Sequence, residues 1–121
     1  MSTLVEKDPR LKTSLLTEDL LSYVINKIIS SIHPEKIILF GSYAKGYANQ
    51  DSDLDLLVIN DSPQVNQDVR REIDRILTGR RFGLDVIVRR PEEVAENLKD
   101  GNPFYLYHIF KEGKVLYERK P

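Results

Sequence analysis

A chain of 121 residues, 40% of them hydrophobic, is long enough to bury one core and too short for two domains. Eighteen basic against 19 acidic residues leave a net charge of -1, so no overall electrostatic pull draws the chain to nucleic acid or to an anionic membrane. With no cysteine, disulfides, thiolate metal sites and thiol nucleophiles are excluded.

Residues 1–13 read as a flexible leader: mixed in charge, without the apolar core of a secretory signal, and with Pro9 opposing regular structure. A single domain is expected over 14–121. Thr17-Glu18-Asp19 opens a helix, with Thr17 as N-cap and two acids in the first turn. Leu20, Leu21, Val24, Ile25, Ile28, Ile29 and Ile32 give it one apolar stripe, and His33-Pro34 ends it. Lys36–Phe40 is a short apolar run expected to be a strand buried on both faces. A short helix is predicted over Tyr43–Ala48, then a polar turn over Asn49–Ser52, then a second strand over Asp53–Asn60.

Val65–Leu77 carries Val69, Ile73, Ile76 and Leu77 on one face and reads as a surface helix, with Gly79 as its cap. Gly83–Arg90 is a third strand, and Pro91-Glu92-Glu93 opens another helix. Asn102-Pro103 begins a last helix through Phe104, Tyr107, His108 and Lys111, and Gly113–Tyr117 gives a turn and a short strand. Apolar runs such as Ile37–Phe40 and Leu56–Ile59 fall far short of the ~20 residues that span a bilayer, so a soluble, cytoplasmic protein is expected.

The chemistry is concentrated in Gly41-Ser42, ten residues, then Asp53-Leu54-Asp55. Side chains two apart on a strand share a face, so Asp53 and Asp55 stand side by side while Leu54 and Leu56 turn into apolar packing. Two adjacent carboxylates repel unless a cation lies between them, and Mg²⁺ suits such a site. Asp85 interrupts the apolar strand Leu84–Val88, and joins them if that strand pairs beside 53–60. Three carboxylates would then hold two ions, one clamping a triphosphate and one activating an incoming hydroxyl. Gly41 lets the backbone approach a phosphate, the following helix offers free N–H groups, and the Ser42 hydroxyl can donate once more. Lys45 lies one turn further on and is within reach of a phosphate.

Simpler roles fit the remaining polar residues. Asp51 and Ser52 serve the turn; His33 and His108 are structural. Arg70, Arg71, Arg75, Arg80 and Arg81 form a solvated face balanced by Asp68, Glu72 and Asp74. Phe104, Tyr105, Tyr107 and Phe110 are expected to cover the sheet.

The Gly-Ser-x10-Asp-x-Asp pattern, set between two strands, resembles the nucleotidyltransferase superfamily that includes DNA polymerase beta. In length and layout, including the Lys111–Tyr117 ending, the chain is similar to the minimal nucleotidyltransferase (MNT, MntA-like) antitoxins. The resemblance implies a polymerase-beta-like α/β fold, of the α+β kind, with a small mixed sheet flanked by helices and three Asp at one edge. It implies that Gly41, Ser42 and, by position, Lys45 bind nucleotide phosphates, and that Asp53, Asp55 and Asp85 bind metal, Asp85 also serving as the base for the acceptor. Family members pair with HEPN-type toxins and transfer AMP from ATP to a toxin tyrosine. The function this implies is Mg²⁺-dependent adenylyl transfer within a hetero-oligomer, since so short a chain leaves little room for an acceptor domain. Transfer to a small molecule or RNA, and neutralisation of a partner by occlusion, are the alternatives.

Overall fold

The computed structural model describes residues 9–11, 16–49 and 51–120. The leader expectation therefore lies largely outside the described residues. Within it, Pro9–Leu11 forms one turn of 3-10 helix, and Leu11 is fully buried, its carbonyl accepting from the Arg81 amide at 3.0 Å. Proline at the head of such a turn costs nothing, because its missing N–H has no partner there anyway.

Helix α1 spans Glu18–Ile32. Thr17 Oγ1 accepts from the Leu20 amide at 3.1 Å, and His33 closes the helix in the left-handed conformation (φ 53°). Strand β1 (Lys36–Phe40) follows, then the single-turn helix α2 (Ser42–Lys45), shorter than the predicted 43–48 because Gly46 turns left-handed and ends it. Strand β2 (Leu54–Ile59), helix α3 (Asn66–Ile76), strand β3 (Leu84–Arg89) and helix α4 (Pro91–Lys99) come next, near the expected bounds. Leu77, not Gly79, caps α3; Gly79 takes its positive φ two residues later. Phe104–Lys111 is helical as expected, but as a π-helix, and β4 (Lys114–Glu118) ends the fold.

The four strands form one mixed sheet in the order β3-β2-β1-β4. β1 runs antiparallel to β2 and β4, while β2 and β3 are parallel. The alternation of strand residues divides the core in two. Ile37, Leu39, Leu54, Leu56, Val58, Val86 and Val88 face α1 and α3. Ile38, Phe40, Leu57 and Ile59 face Val94 of α4 and Tyr105 and Ile109 of the π-helix. This is the small α/β sheet between helices that the sequence predicts. Tyr107 and Phe110 depart from expectation: they are 53% and 38% exposed, so only Tyr105 and the partly buried Phe104 of that aromatic group cover the sheet.

No helix among the described residues is long and apolar enough to cross a membrane. Three of the five arginines at α3 and its exit meet the acids expected to balance them, Arg71 with Asp68, Arg75 with Glu72, and Arg80 with Asp74.

Candidate active site

The end of β1 delivers Gly41 with φ 77° and ψ -156°, a backbone region open essentially to glycine alone. A Cβ there would also overlap the Asp55 carboxylate, because Phe40 and Asp55 are register partners across β1 and β2. Gly41 is thus required twice, by its torsion angles and by the acid packed against it. Beyond it, the amides of Ala44 and Lys45 bond back to the Gly41 carbonyl at 3.1 and 3.2 Å. The Ser42 and Tyr43 amides precede the first bond of the turn, as the opening amides of any helical turn do.

Across the sheet, parallel pairing sets Asp55 directly opposite Asp85. Their side chains share the face of Leu57, Ile59 and Ile87, while Leu54, Leu56 and Val86 point to the other side, as strand alternation requires. Asp53 lies just ahead of β2. A Cβ on Gly83 would overlap its carboxylate, so the residue that leads into β3 is also cut away to admit an acid. Sequence reasoning missed Gly83; its place two residues before Asp85 was the available signal. The structure therefore gathers Gly41, Ser42, Asp53, Asp55 and Asp85 where β1 ends and β2 and β3 begin.

Asp55 is half-buried, and Asp53 and Asp85 are exposed. Burial, then the neighbouring charges of Asp85 and Asp53, push the Asp55 carboxyl up to about 6. Lys45 does not relieve this repulsion. Its ammonium lies 3.4 Å from Glu112 Oε1, at the exit of the π-helix, and hydrogen bonding with Tyr47, then with Glu112, raises its pKa. His108 Nδ1 approaches the same Glu112 oxygen at 3.3 Å. Asn49 and Ser52 close the turn between α2 and β2: the Asn49 amide donates to Ser52 Oγ at 3.0 Å, the structural role expected of Ser52.

Among the described residues, no three His, Cys, Asp or Glu side chains stand together as a closed metal site. The donor set still fits Mg²⁺ chemically. It consists of hard carboxylate oxygens with an excess of negative charge, and Mg²⁺ needs only one or two carboxylates when water and substrate phosphates complete its shell.

Residues 23–121 match the profile of the family described as polymerase beta, nucleotidyltransferase. Two solved structures share the fold. An inferred nucleotidyltransferase from Sulfolobus solfataricus aligns with a TM-score of 0.56 and 21% identity, over 96% of this chain and 93% of that one. A toxin-antitoxin crystallised with AMP-PNP aligns with a TM-score of 0.51 and 19% identity, over 81% of this chain and 73% of that one. No curated protein matches the chain.

Proposed function

Because the chain belongs to the polymerase beta nucleotidyltransferase family, we propose that it moves AMP from ATP, with Mg²⁺, to a tyrosine hydroxyl of a partner protein of the HEPN toxin type. The observation that carries this is the register of Asp55 opposite Asp85, with Gly41 packed against Asp55. In this reading the Gly41-Ser42 turn receives a phosphate beside the acidic group. The toxin-antitoxin structure that shares the fold, crystallised with a nucleotide analogue, supports a protein partner and a nucleotide substrate.

In this reading the Ser42 and Tyr43 amides and the Ser42 hydroxyl receive phosphate oxygens. Gly41 keeps that approach clear of a side chain. Asp53, Asp55 and Asp85 would hold Mg²⁺, which supplies charge neutralisation and polarisation of the α-phosphate. Asp85, the exposed member on the outermost strand, accepts the acceptor's hydroxyl proton and passes it to solvent. The acceptor oxygen forms a bond to the α-phosphorus, the bond from that phosphorus to the bridging oxygen breaks, and pyrophosphate leaves with the electron pair. Lys45 exchanges Glu112 for a phosphate oxygen when the nucleotide binds.

The test is incubation with α-labelled ATP, Mg²⁺ and a panel of acceptors that includes the co-expressed partner, RNA and small hydroxyl compounds. Label on a protein tyrosine is the expected result. Label on RNA or a small molecule but never on protein overturns the acceptor assignment.

A further inference from the structure

We infer that the outer edge of β3 is the acceptor-docking surface, and that the acceptor enters as an extended peptide strand that pairs with this edge and sets its hydroxyl residue beside Asp85. The inference rests on the nucleotidyl-transfer reading and adds to it the conformation and binding surface of the acceptor.

β3 is the last strand of the sheet on its side. The Gly83 and Arg89 carbonyls accept from the Leu54 and Asn60 amides of the β2 segment, both at 2.8 Å. Backbone direction alternates along a strand, so the N–H and C=O groups of Leu84, Val86 and Val88 point outward, away from β2. The Val88 carbonyl is taken by Arg89 Nη1 at 2.8 Å. Leu84 and Val86 have no outward backbone partner among the described residues. The open stretch is therefore centred on Asp85.

The two edges of the sheet differ in how they are guarded. β4 carries Lys114 and Glu118 at its ends, and its pairing with β1 is broken by an irregularity between Ile37 and Ile38. These are ordinary devices against strand addition. β3 also carries two charges, Asp85 and Arg89, but it has neither lysine nor proline, and its pairing with β2 is regular from Leu54 to Ile59. A groove of about 320 Å³ runs along it, lined by residues 85–89 and by Asn66, Gln67 and Arg70 of α3.

Strand addition satisfies the outward amides and carbonyls and lets alternate side chains select the partner. A residue paired opposite Asp85 places its side chain on the same face, within cross-strand reach of the carboxylate. Arg70 is exposed and has no carboxylate partner among the described residues, and Arg89 lines the same groove. An acidic side chain in the incoming segment complements both.

Short tyrosine-centred peptides, with β-branched residues at alternate positions and one glutamate, are the probe. Each is made plain, or N-methylated on one or the other alternating set of amides, and transfer from α-labelled ATP is followed. Methylation of one set should lower transfer about tenfold, while methylation of the other set leaves it within about twofold. Arg70→Glu should lower transfer to the glutamate peptide and restore it to a lysine version, with binding of a fluorescent ATP analogue and Mg²⁺ unchanged. Equal loss from both methylated sets, no loss from either, or labelling of partner protein with no peptide accepted overturns the edge assignment alone. Failure to bind the ATP analogue with Mg²⁺ overturns nucleotidyl transfer, and the edge assignment with it.

Discussion

At Gly41 the main chain and the Asp55 carboxylate compete for one volume, and glycine is what lets both stay. Gly46, with a similar φ of 83°, has nothing within 4 Å of the place a Cβ would take. Alanine at Gly46 pays the left-handed penalty of about 1 kcal/mol, whereas Gly41→Ala enters a backbone region open essentially to glycine alone and must also displace an acid. Urea unfolding should show Gly41→Ala losing about 2–4 kcal/mol and Gly46→Ala about 1. Transfer activity should collapse in the first variant and survive in the second; equal losses of stability would contradict the packing of Gly41 on Asp55. Asp55 supplies a second contrast. Its carboxyl, pushed up to about 6 by burial and then by Asp85 and Asp53, holds its proton more tightly in the folded chain than in the unfolded one. Its contribution to stability is therefore full at low pH and is lost as pH rises through about 6. Without Mg²⁺, Asp55→Asn should gain about 1 kcal/mol, or about 4 °C in Tm, near pH 8 after allowance for solvent screening. Near about pH 4 the gain should vanish. A gain that grows on acidification would contradict an upward shift caused by burial and then by like charge. Gly41, Ser42, Asp53 and Asp55 were legible in the sequence because torsional freedom and strand alternation are local rules, whereas Asp85 joined them only on condition that β3 pairs with β2. Gly83 and the Lys45–Glu112 pair were not: a glycine before a strand reads as a turn until register sets it against Asp53, and the pair joins segments distant in the chain.

Among the elements, β1, β2 and β3 could be read directly because each is a short apolar run bounded by polar turns. α1 was readable from its stripe and its Thr17 cap. The π-helix at Phe104–Lys111 could not be read in advance. Its apolar spacing suits an α-helix equally well, and packing of Tyr105 and Ile109 on the sheet, with Tyr107 and Phe110 turned outward, is a tertiary matter. The burial of Leu11 likewise depends on the chain near Arg81, far away in sequence. α1 lies on the sheet face opposite the carboxylates, so its stability and the chemistry are separable. Thr17→Ala should cost about 1 kcal/mol in thermal or urea unfolding and leave transfer rates below the melting range unchanged. A loss of transfer without a loss of stability would contradict that separation.

For the molecule as a whole, the mixed sheet does two jobs with its two faces. One face packs on α1 and α3, and the other holds α4 and the π-helix while its strand ends present Gly41, Asp55 and Asp85. At this open sheet end Asp55 lies within the fields of Asp85 and Asp53, an arrangement suited to a cation-bound phosphate substrate. The most direct measurement follows ATP labelled separately at its α- and γ-phosphates, in the presence of Mg²⁺ and the partner protein. The α label should become bound to the partner while the γ label leaves in pyrophosphate, and Asp53→Asn with Asp55→Asn should abolish the incorporation. Incorporation of the γ label, or undiminished incorporation of the α label by the double variant, would contradict nucleotidyl transfer by these carboxylates.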